Sequence, residues 1–97
     1  MSVRNILWTE RALRRLDSIG EHIAKDNSDA AAIVIARILS SEETLAEHPA
    51  MGRPGRIAGT RENVIASLPD IIAYRVRPEA IEVLTVLHGA QQWPQEV

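Results

Sequence analysis

Residues 71–88 read IIAYRVRPEAIEVLTVLH, which is two runs of strand-forming residues separated by a turn at Pro78-Glu79-Ala80. Beta-branched and aromatic side chains are enriched in strands, and so short a connection joins strands that run antiparallel. A third run of this kind, at 62–67, precedes a turn at Leu68-Pro69-Asp70. The C-terminal part of the chain therefore predicts a three-stranded antiparallel meander.

Two helices are predicted upstream of the meander. A short strand at 3–8 leads to Thr9, which is a suitable N-cap for a first helix. Either Asn27 or Ser28 can cap a second, longer helix, and His48-Pro49 ends it. The apolar residues at helical spacing are Ala12, Leu13, Leu16, Ile19, Gly20, Ile23 and Ala24 in the first helix, and Ala31, Val34, Ile35, Ile38, Leu39, Leu45 and Ala46 in the second.

The order of these elements predicts an α+β fold in a single domain spanning residues 1–97. Because the connection between the helices is short, they form an antiparallel hairpin. One face of the sheet must cover that hairpin. Aromatic residues make up 3% of the chain and Phe is absent, so the core must be aliphatic.

The composition excludes several classes of function. The chain has no cysteine, which excludes disulfides, zinc–thiolate sites and cysteine nucleophiles. We find no paired metal-ligand spacing and no glycine-rich phosphate loop, and we therefore expect neither a metal nor a cofactor. The N-terminal residues Met1-Ser2-Val3-Arg4 do not resemble the apolar region of a signal peptide, and no apolar run has transmembrane length. We expect a soluble cytoplasmic protein without a membrane partner.

The formal net charge of −2 conceals a positive segment at 49–77, which holds five arginines against Glu62 and Asp70. Part of this segment, 49–59, is predicted to be a loop, since it contains two prolines and three glycines. Arginine's planar fork suits carboxylate and phosphate groups. We therefore predict that Arg53, Arg56 and Arg61 form a positive rim that contacts an anionic partner.

The last predicted strand runs into His88, and Gln91, Gln92 and Trp93 follow it. An RNA-cleaving site needs a general base near the 2′-oxygen and cations that stabilise the charge on phosphorus. His88 could supply the base, with Arg75 on the same face of the sheet. The alternatives are that His88 contacts a target, or that it bonds a loop carbonyl at the strand end.

The order of elements and several short motifs resemble the ParE/RelE superfamily of bacterial toxins from toxin–antitoxin modules. The resemblance covers nearly the whole chain. The motifs that carry it are Trp8-Thr9-Glu10-Arg11-Ala12, Ile23-Ala24-Lys25-Asp26-Asn27, Leu45-Ala46-Glu47-His48-Pro49, Gly52-Arg53-Pro54-Gly55-Arg56, Gly59-Thr60-Arg61-Glu62, Ile72-Ala73-Tyr74-Arg75-Val76 and Val86-Leu87-His88-Gly89-Ala90.

The resemblance implies a type II toxin that is neutralised by an antitoxin encoded beside it, commonly a ribbon-helix-helix protein of the ParD type. Operator DNA would be reached only through that antitoxin. Within the superfamily, RelE-like members cut messenger RNA on the ribosome. They typically carry Gly-Tyr-Arg at the start of the middle strand, and a Gly-Lys/His-Arg group with a following Tyr after the last strand.

This chain departs from the RNA-cleaving pattern at both places, where it reads Pro69-Asp70-Ile71 and His88-Gly89-Ala90-Gln91. What remains resembles ParE-like members, which inhibit DNA gyrase. We therefore expect a binder rather than an enzyme. The predicted target-binding residues are Arg53, Arg56, Arg61, Gln91 and Trp93.

Antitoxin contacts are predicted at Ile33 and Arg37, on the side of the second helix away from its apolar stripe. Two alternatives to gyrase inhibition stay open. One is a ribosome-dependent endoribonuclease that uses His88, Arg61 and Arg75. The other is a chain that has lost toxicity and acts as a corepressor with its antitoxin.

Overall fold

The computed structural model describes residues 4–65 and 68–88. One five-stranded sheet, in the order β1-β5-β4-β3-β2, lies beside a pair of helices. The predicted α+β fold is confirmed. The elements in chain order are β1 (Asn5–Trp8), α1 (Glu10–Ala24), α2 (Ser28–Glu47), β2 (Arg53–Pro54), β3 (Arg61–Val64), β4 (Asp70–Val76) and β5 (Ala80–His88).

Strands β3, β4 and β5 form the predicted antiparallel meander. Strand β1 pairs with β5 in parallel, with Ile6 opposite Ile81, so the sheet is mixed. The loop predicted at 49–59 contains a short strand, because Arg53 and Pro54 pair with β3. The two prolines and three glycines of this segment concealed that strand. Pro54 is tolerated there because β2 lies at the edge of the sheet.

Both predicted helix starts are confirmed. The Thr9 side chain accepts from the N–H of Ala12 at 3.1 Å, and its hydroxyl donates to the carbonyl of Val83 at 2.9 Å. The start of α1 is thereby fixed to β5. The Asn27 side chain caps α2 through the N–H of Ala30, and α2 ends before His48 as predicted.

The core lies between the helices and one face of the sheet, and Tyr74 is its largest fully buried side chain. The buried stripe of each helix is narrower than its apolar pattern. Leu13 and Leu39 were predicted to face the core but are 48% and 42% exposed. Each lies one position after a fully buried residue and is therefore turned away from the sheet. Among the described residues, no helix is long and apolar enough to span a membrane.

A β-bulge interrupts β5 at Leu84. Ala73 pairs with Thr85 while Tyr74 pairs with Val83, so Leu84 is an extra residue on β5. A bulge of this kind reverses the alternation of side chains along its strand. Val83 and Val86 therefore both reach the core cluster, although they are an odd number of residues apart.

Candidate functional site

The end of β5 places His88 against a buried carboxylate. His88 is directly opposite Asp70 in the sheet, and its Nδ1 contacts Asp70 Oδ1. The Asp70 side chain is fully buried, whereas the His88 side chain is 29% exposed. Within residues 4–65 and 68–88, Asp70 Oδ2 has no hydrogen-bond partner. His88 therefore contacts an acidic side chain on the neighbouring strand, which is a partner that the sequence did not predict.

A groove of about 330 Å³ lies beside His88, between β5 and one face of α1. It is lined by Arg15, Ser18, Ile19, His22 and His88. Arg15 Nε donates to the carbonyl of Val86 at 3.3 Å, which holds the guanidinium close to the strand. The groove thus brings together two imidazoles, a guanidinium and a hydroxyl.

Sequence reasoning missed Arg15, Ser18, His22 and Asp70 as neighbours of His88. Arg15, Ser18 and His22 recur at the spacing expected for the solvent-facing side of any helix. Their proximity to His88 depends on how α1 packs across β5. No local pattern in the sequence reports that packing.

Arg75 does not share a face with His88. Side chains alternate along β4, and Arg75 is five positions from Asp70, the residue that pairs with His88. Arg75 therefore lies on the opposite face of the sheet and about 16 Å along the strand. There its Nη1 lies 3.8 Å from Glu82 Oε1, which also contacts Arg77 Nη2 at 3.5 Å.

Arg61 is also remote from His88, and it binds backbone. Its Nη1 donates to the carbonyl of Gly52 at 2.8 Å and to that of Ala50 at 3.4 Å. The segment 49–52 connects α2 to β2, so Arg61 fixes the path of the chain after the long helix. The structure therefore does not bring Arg61, Arg75 and His88 together.

Tyr74 holds the same segment from inside the core. Its hydroxyl donates to the carbonyl of Pro49 at 2.8 Å and accepts from the N–H of Gly52 at 3.0 Å. Burial raises the pKa of Tyr74 above its usual 10.0, and the Gly52 N–H and the Arg61 charge partly oppose that rise. The segment is thus attached to β4 by a neutral phenol.

Gly52 has no room for a side chain. A Cβ at this position would lie 2.6 Å from the Tyr74 oxygen and 2.7 Å from the carbonyl oxygen of Glu62. A glycine is needed at this position because the backbone closely approaches a buried tyrosine.

The three arginines of the predicted positive rim lie in different environments. Arg61 bonds backbone, and Arg53 Nε forms an ion pair with Glu62 Oε1 at 2.8 Å. Arg56 is exposed. Gln91 and Trp93, which were predicted to contact the target, lie outside the described residues.

The predicted antitoxin-contact residues lie on the outer side of α2. Ile33 is 56% exposed, and Arg37 lines a groove of about 450 Å³ between α2 and β3. Met51 and Val64, two exposed apolar side chains, line the same groove. Its other lining residues are Ser40, Ser41, Thr44, Asn63 and Ile65.

No set of three or more His, Cys, Asp or Glu side chains that could hold a metal ion occurs within residues 4–65 and 68–88.

Comparison with known proteins assigns the chain to a family. The family model described as the ParE toxin of the type II toxin–antitoxin system parDE matches residues 6–93. The chain belongs to the ParE toxin family. The family matched is the one that the sequence motifs resemble, so the chain is a type II toxin of the ParE/RelE kind.

Two individual relatives are toxins by name, in agreement with a toxin of the ParE/RelE kind. The chain is 59% identical over 95 residues to the predicted toxin Y4kP of Sinorhizobium fredii, covering 98% of each chain. It is 31% identical over 86 residues to toxin RelE2 of Caulobacter vibrioides, covering 89% of this chain and 96% of that one.

A solved structure shares the ParE fold. A chain from the chromosomal ParDE toxin–antitoxin system of P. aeruginosa matches with a TM-score of 0.81 at 22% identity. The match covers 90% of this chain and 97% of that one.

Proposed function

We propose that this ParE-family toxin arrests growth by binding and inhibiting DNA gyrase, without cutting RNA. We further propose that it is neutralised by a ribbon-helix-helix antitoxin of the ParD type. The observation that carries the proposal is the separation of Arg61, Arg75 and His88. These are the groups from which an RNA-cleaving site was predicted.

The separation argues against cleavage on physical grounds. Cations stabilise a phosphorane only when they contact the oxygens on which charge develops. Arg61 donates to two loop carbonyls, and Arg75 lies across the sheet from His88. The sequence after His88, GAQQWPQEV, adds no lysine, arginine or tyrosine. A toxin that only binds and blocks its target does not need cationic side chains and His88 to meet at one site.

The test is a supercoiling assay with purified toxin, gyrase and relaxed plasmid. We expect supercoiling to fall with toxin concentration and to recover when the antitoxin is added. Growth arrest in cells combined with unchanged supercoiling in vitro would overturn the proposal. Normal growth of cells that express the toxin alone would favour the corepressor alternative instead.

The groove between α2 and β3 is the surface we propose for the antitoxin. Met51 and Val64 in the groove offer apolar contacts, and Arg37 offers a partner for a carboxylate. Exposed Ile33, one turn before Arg37 on α2, extends this surface beyond the groove. An amphipathic helix or an extended segment with one acidic residue fits this chemistry. The relative from P. aeruginosa belongs to a ParDE toxin–antitoxin system, which supports a partner of this kind.

One observation favours a second candidate function, which is ribosome-dependent RNA cleavage. The buried Asp70 carboxylate orients His88, and the adjoining groove adds Arg15 and His22. A carboxylate that positions an imidazole is a recurring arrangement for a general base. Mapping messenger RNA ends after induction tests this candidate. If the toxin cleaves RNA, the wild-type protein produces new cuts in messenger RNA and the His88→Gln variant produces none.

A further inference from the structure

Among residues 4–65 and 68–88, no strand pairs with the outer edge of β1, which we call the open edge. Strand β1 is the first strand in the sheet order, and its only neighbour in the described part of the chain is β5. The N–H of Asn5 donates to the carbonyl of Glu79, and that of Thr9 donates to the carbonyl of Val83. Backbone groups alternate in direction along a strand. The N–H and C=O groups of Ile6 and Trp8 therefore point toward the open edge.

The open edge borders a groove of about 260 Å³ on the helical side of the sheet. The groove is lined by Ile6, Glu42, Glu43, Ala46 and Glu47. On the opposite face of β1, Leu7 is exposed. A strand added beside β1 would thus have carboxylates near one of its faces and an apolar side chain near the other.

One of these carboxylates, that of Glu47, lies in the last turn of α2, where the helix disfavours it. Negative charge near a helix C-terminus opposes the macrodipole, and the last turn of α2 contains no basic residue. Trp8 Nε1 donates to Glu42 Oε1, whereas Glu43 and Glu47 are exposed. Negative charge kept at an unfavourable position near a helix C-terminus is typical of a functional surface.

We propose that the open edge of β1 docks an extended segment of a protein partner that alternates basic and apolar residues. Its backbone would pair with Ile6 and Trp8, in the manner of β-strand addition. Its basic side chains would lie beside Glu43 and Glu47, and its apolar side chains beside Leu7, because side chains alternate in direction along a strand. The proposal is independent of the cellular target.

A second copy of the chain does not supply such a segment through its own β1. Arg4 is the only basic residue between positions 4 and 8. The occupant is therefore a different protein, whose charge complements the two glutamates.

The test is an NMR titration of isotope-labelled toxin with a capped six-residue peptide that alternates lysine and valine. A peptide of the same composition, with three lysines followed by three valines, controls for charge. We expect the alternating peptide to bind more tightly and to protect the amides of Ile6 and Trp8 from hydrogen exchange. Equal binding of both peptides, or unprotected amides, would overturn the proposal.

Two double variants that remove the same amount of charge test whether binding depends on the glutamates beside β1. Glu43→Gln with Glu47→Gln is expected to weaken binding of the alternating peptide by about three- to tenfold, the scale of two exposed ion pairs. Asp17→Asn with Glu21→Gln removes the same charge from exposed positions on α1 and should leave binding unchanged. Equal weakening by the two double variants would mean general attraction to an acidic protein and would refute the site.

Discussion

The backbone N–H of Gly52 donates to the phenolic oxygen of Tyr74 at 3.0 Å, at a point where a Cβ would lie 2.6 Å from that oxygen. Gly52→Ala must therefore displace the tyrosine or the segment after α2. We expect a loss of about 2 kcal/mol in the free energy of unfolding, as for other overpacked sites. Urea denaturation measures it.

Gly20→Ala is the matched control. Its Cβ would meet Ile35 at 3.5 Å, an ordinary contact, and alanine is favoured over glycine inside a helix by about 1 kcal/mol. We expect Gly20→Ala to be neutral or stabilising. Equal losses in both variants would contradict the steric account of Gly52.

The raised pKa of Tyr74 predicts that stability falls at alkaline pH. Burial disfavours the phenolate, so the folded-state pKa of Tyr74 lies above the usual value of 10.0. The stabilisation linked to this proton is complete below the unfolded-state pKa and is lost as pH rises through the folded-state value. Urea unfolding across this alkaline range should show the fall.

Tyr74→Phe isolates the contribution of the phenol, because Tyr74 is the only tyrosine in the chain. The variant should be less stable by about 1–3 kcal/mol at neutral pH, since the buried N–H of Gly52 loses its acceptor. Its alkaline loss of stability should be smaller than that of the wild type. An identical alkaline slope in both proteins would assign the effect to other groups.

Alanine substitutions at Arg61 and Arg56 should distinguish a residue that stabilises the fold from one that contacts the target. Arg61→Ala removes hydrogen bonds to two loop carbonyls, and we expect a loss of about 1–3 kcal/mol. Arg56→Ala changes an exposed side chain and should alter stability by less than about 0.5 kcal/mol. We expect Arg56→Ala to weaken gyrase inhibition in the supercoiling assay. A stable but fully inhibitory Arg56→Ala toxin would remove this residue from the target surface.

The pair formed by Asp70 and His88 should be strongly coupled. His88→Ala leaves a buried carboxylate without its partner, and we expect a loss of about 3 kcal/mol. In an Asp70→Asn background the same substitution should cost much less, because the uncompensated charge is absent. A double-mutant cycle by chemical denaturation measures the difference. Additive losses would show that the contact contributes little.

Antitoxin binding should raise the melting temperature of the toxin, because a ligand that binds only the folded state stabilises it. Ile33→Asp is expected to reduce antitoxin affinity by about tenfold or more, as at an apolar interface contact. Leu13→Asp is the control, since Leu13 is similarly exposed but lies on α1. Unchanged melting at saturating antitoxin, or equal effects of the two substitutions, would count against the proposed surface.

Local signals predicted the elements of this fold well. Thr9 and Asn27 cap the helices because their short polar side chains satisfy the first free N–H groups. The strand runs of the meander follow the distribution of β-branched residues and turns. These features depend on neighbours in sequence, so the sequence alone was sufficient.

The site required information that no local pattern contains. The contact between Asp70 and His88 depends on the register of two strands, and the bulge at Leu84 shifts that register by one residue. Arg61 and Arg75 were grouped with His88 by residue type, but strand alternation and the path of the chain after α2 separate them. Pairing geometry, rather than composition, decided which of the predicted residues meet.

The parallel pairing of β1 with β5 has a consequence for the order of events during synthesis. The first strand of the toxin has its partner about 75 residues later, so it stays unpaired until nearly the whole chain has left the ribosome. At about 5–20 residues per second, that interval lasts several seconds. A chain that ends before β5 therefore cannot pair β1, and we expect a prematurely terminated product not to fold.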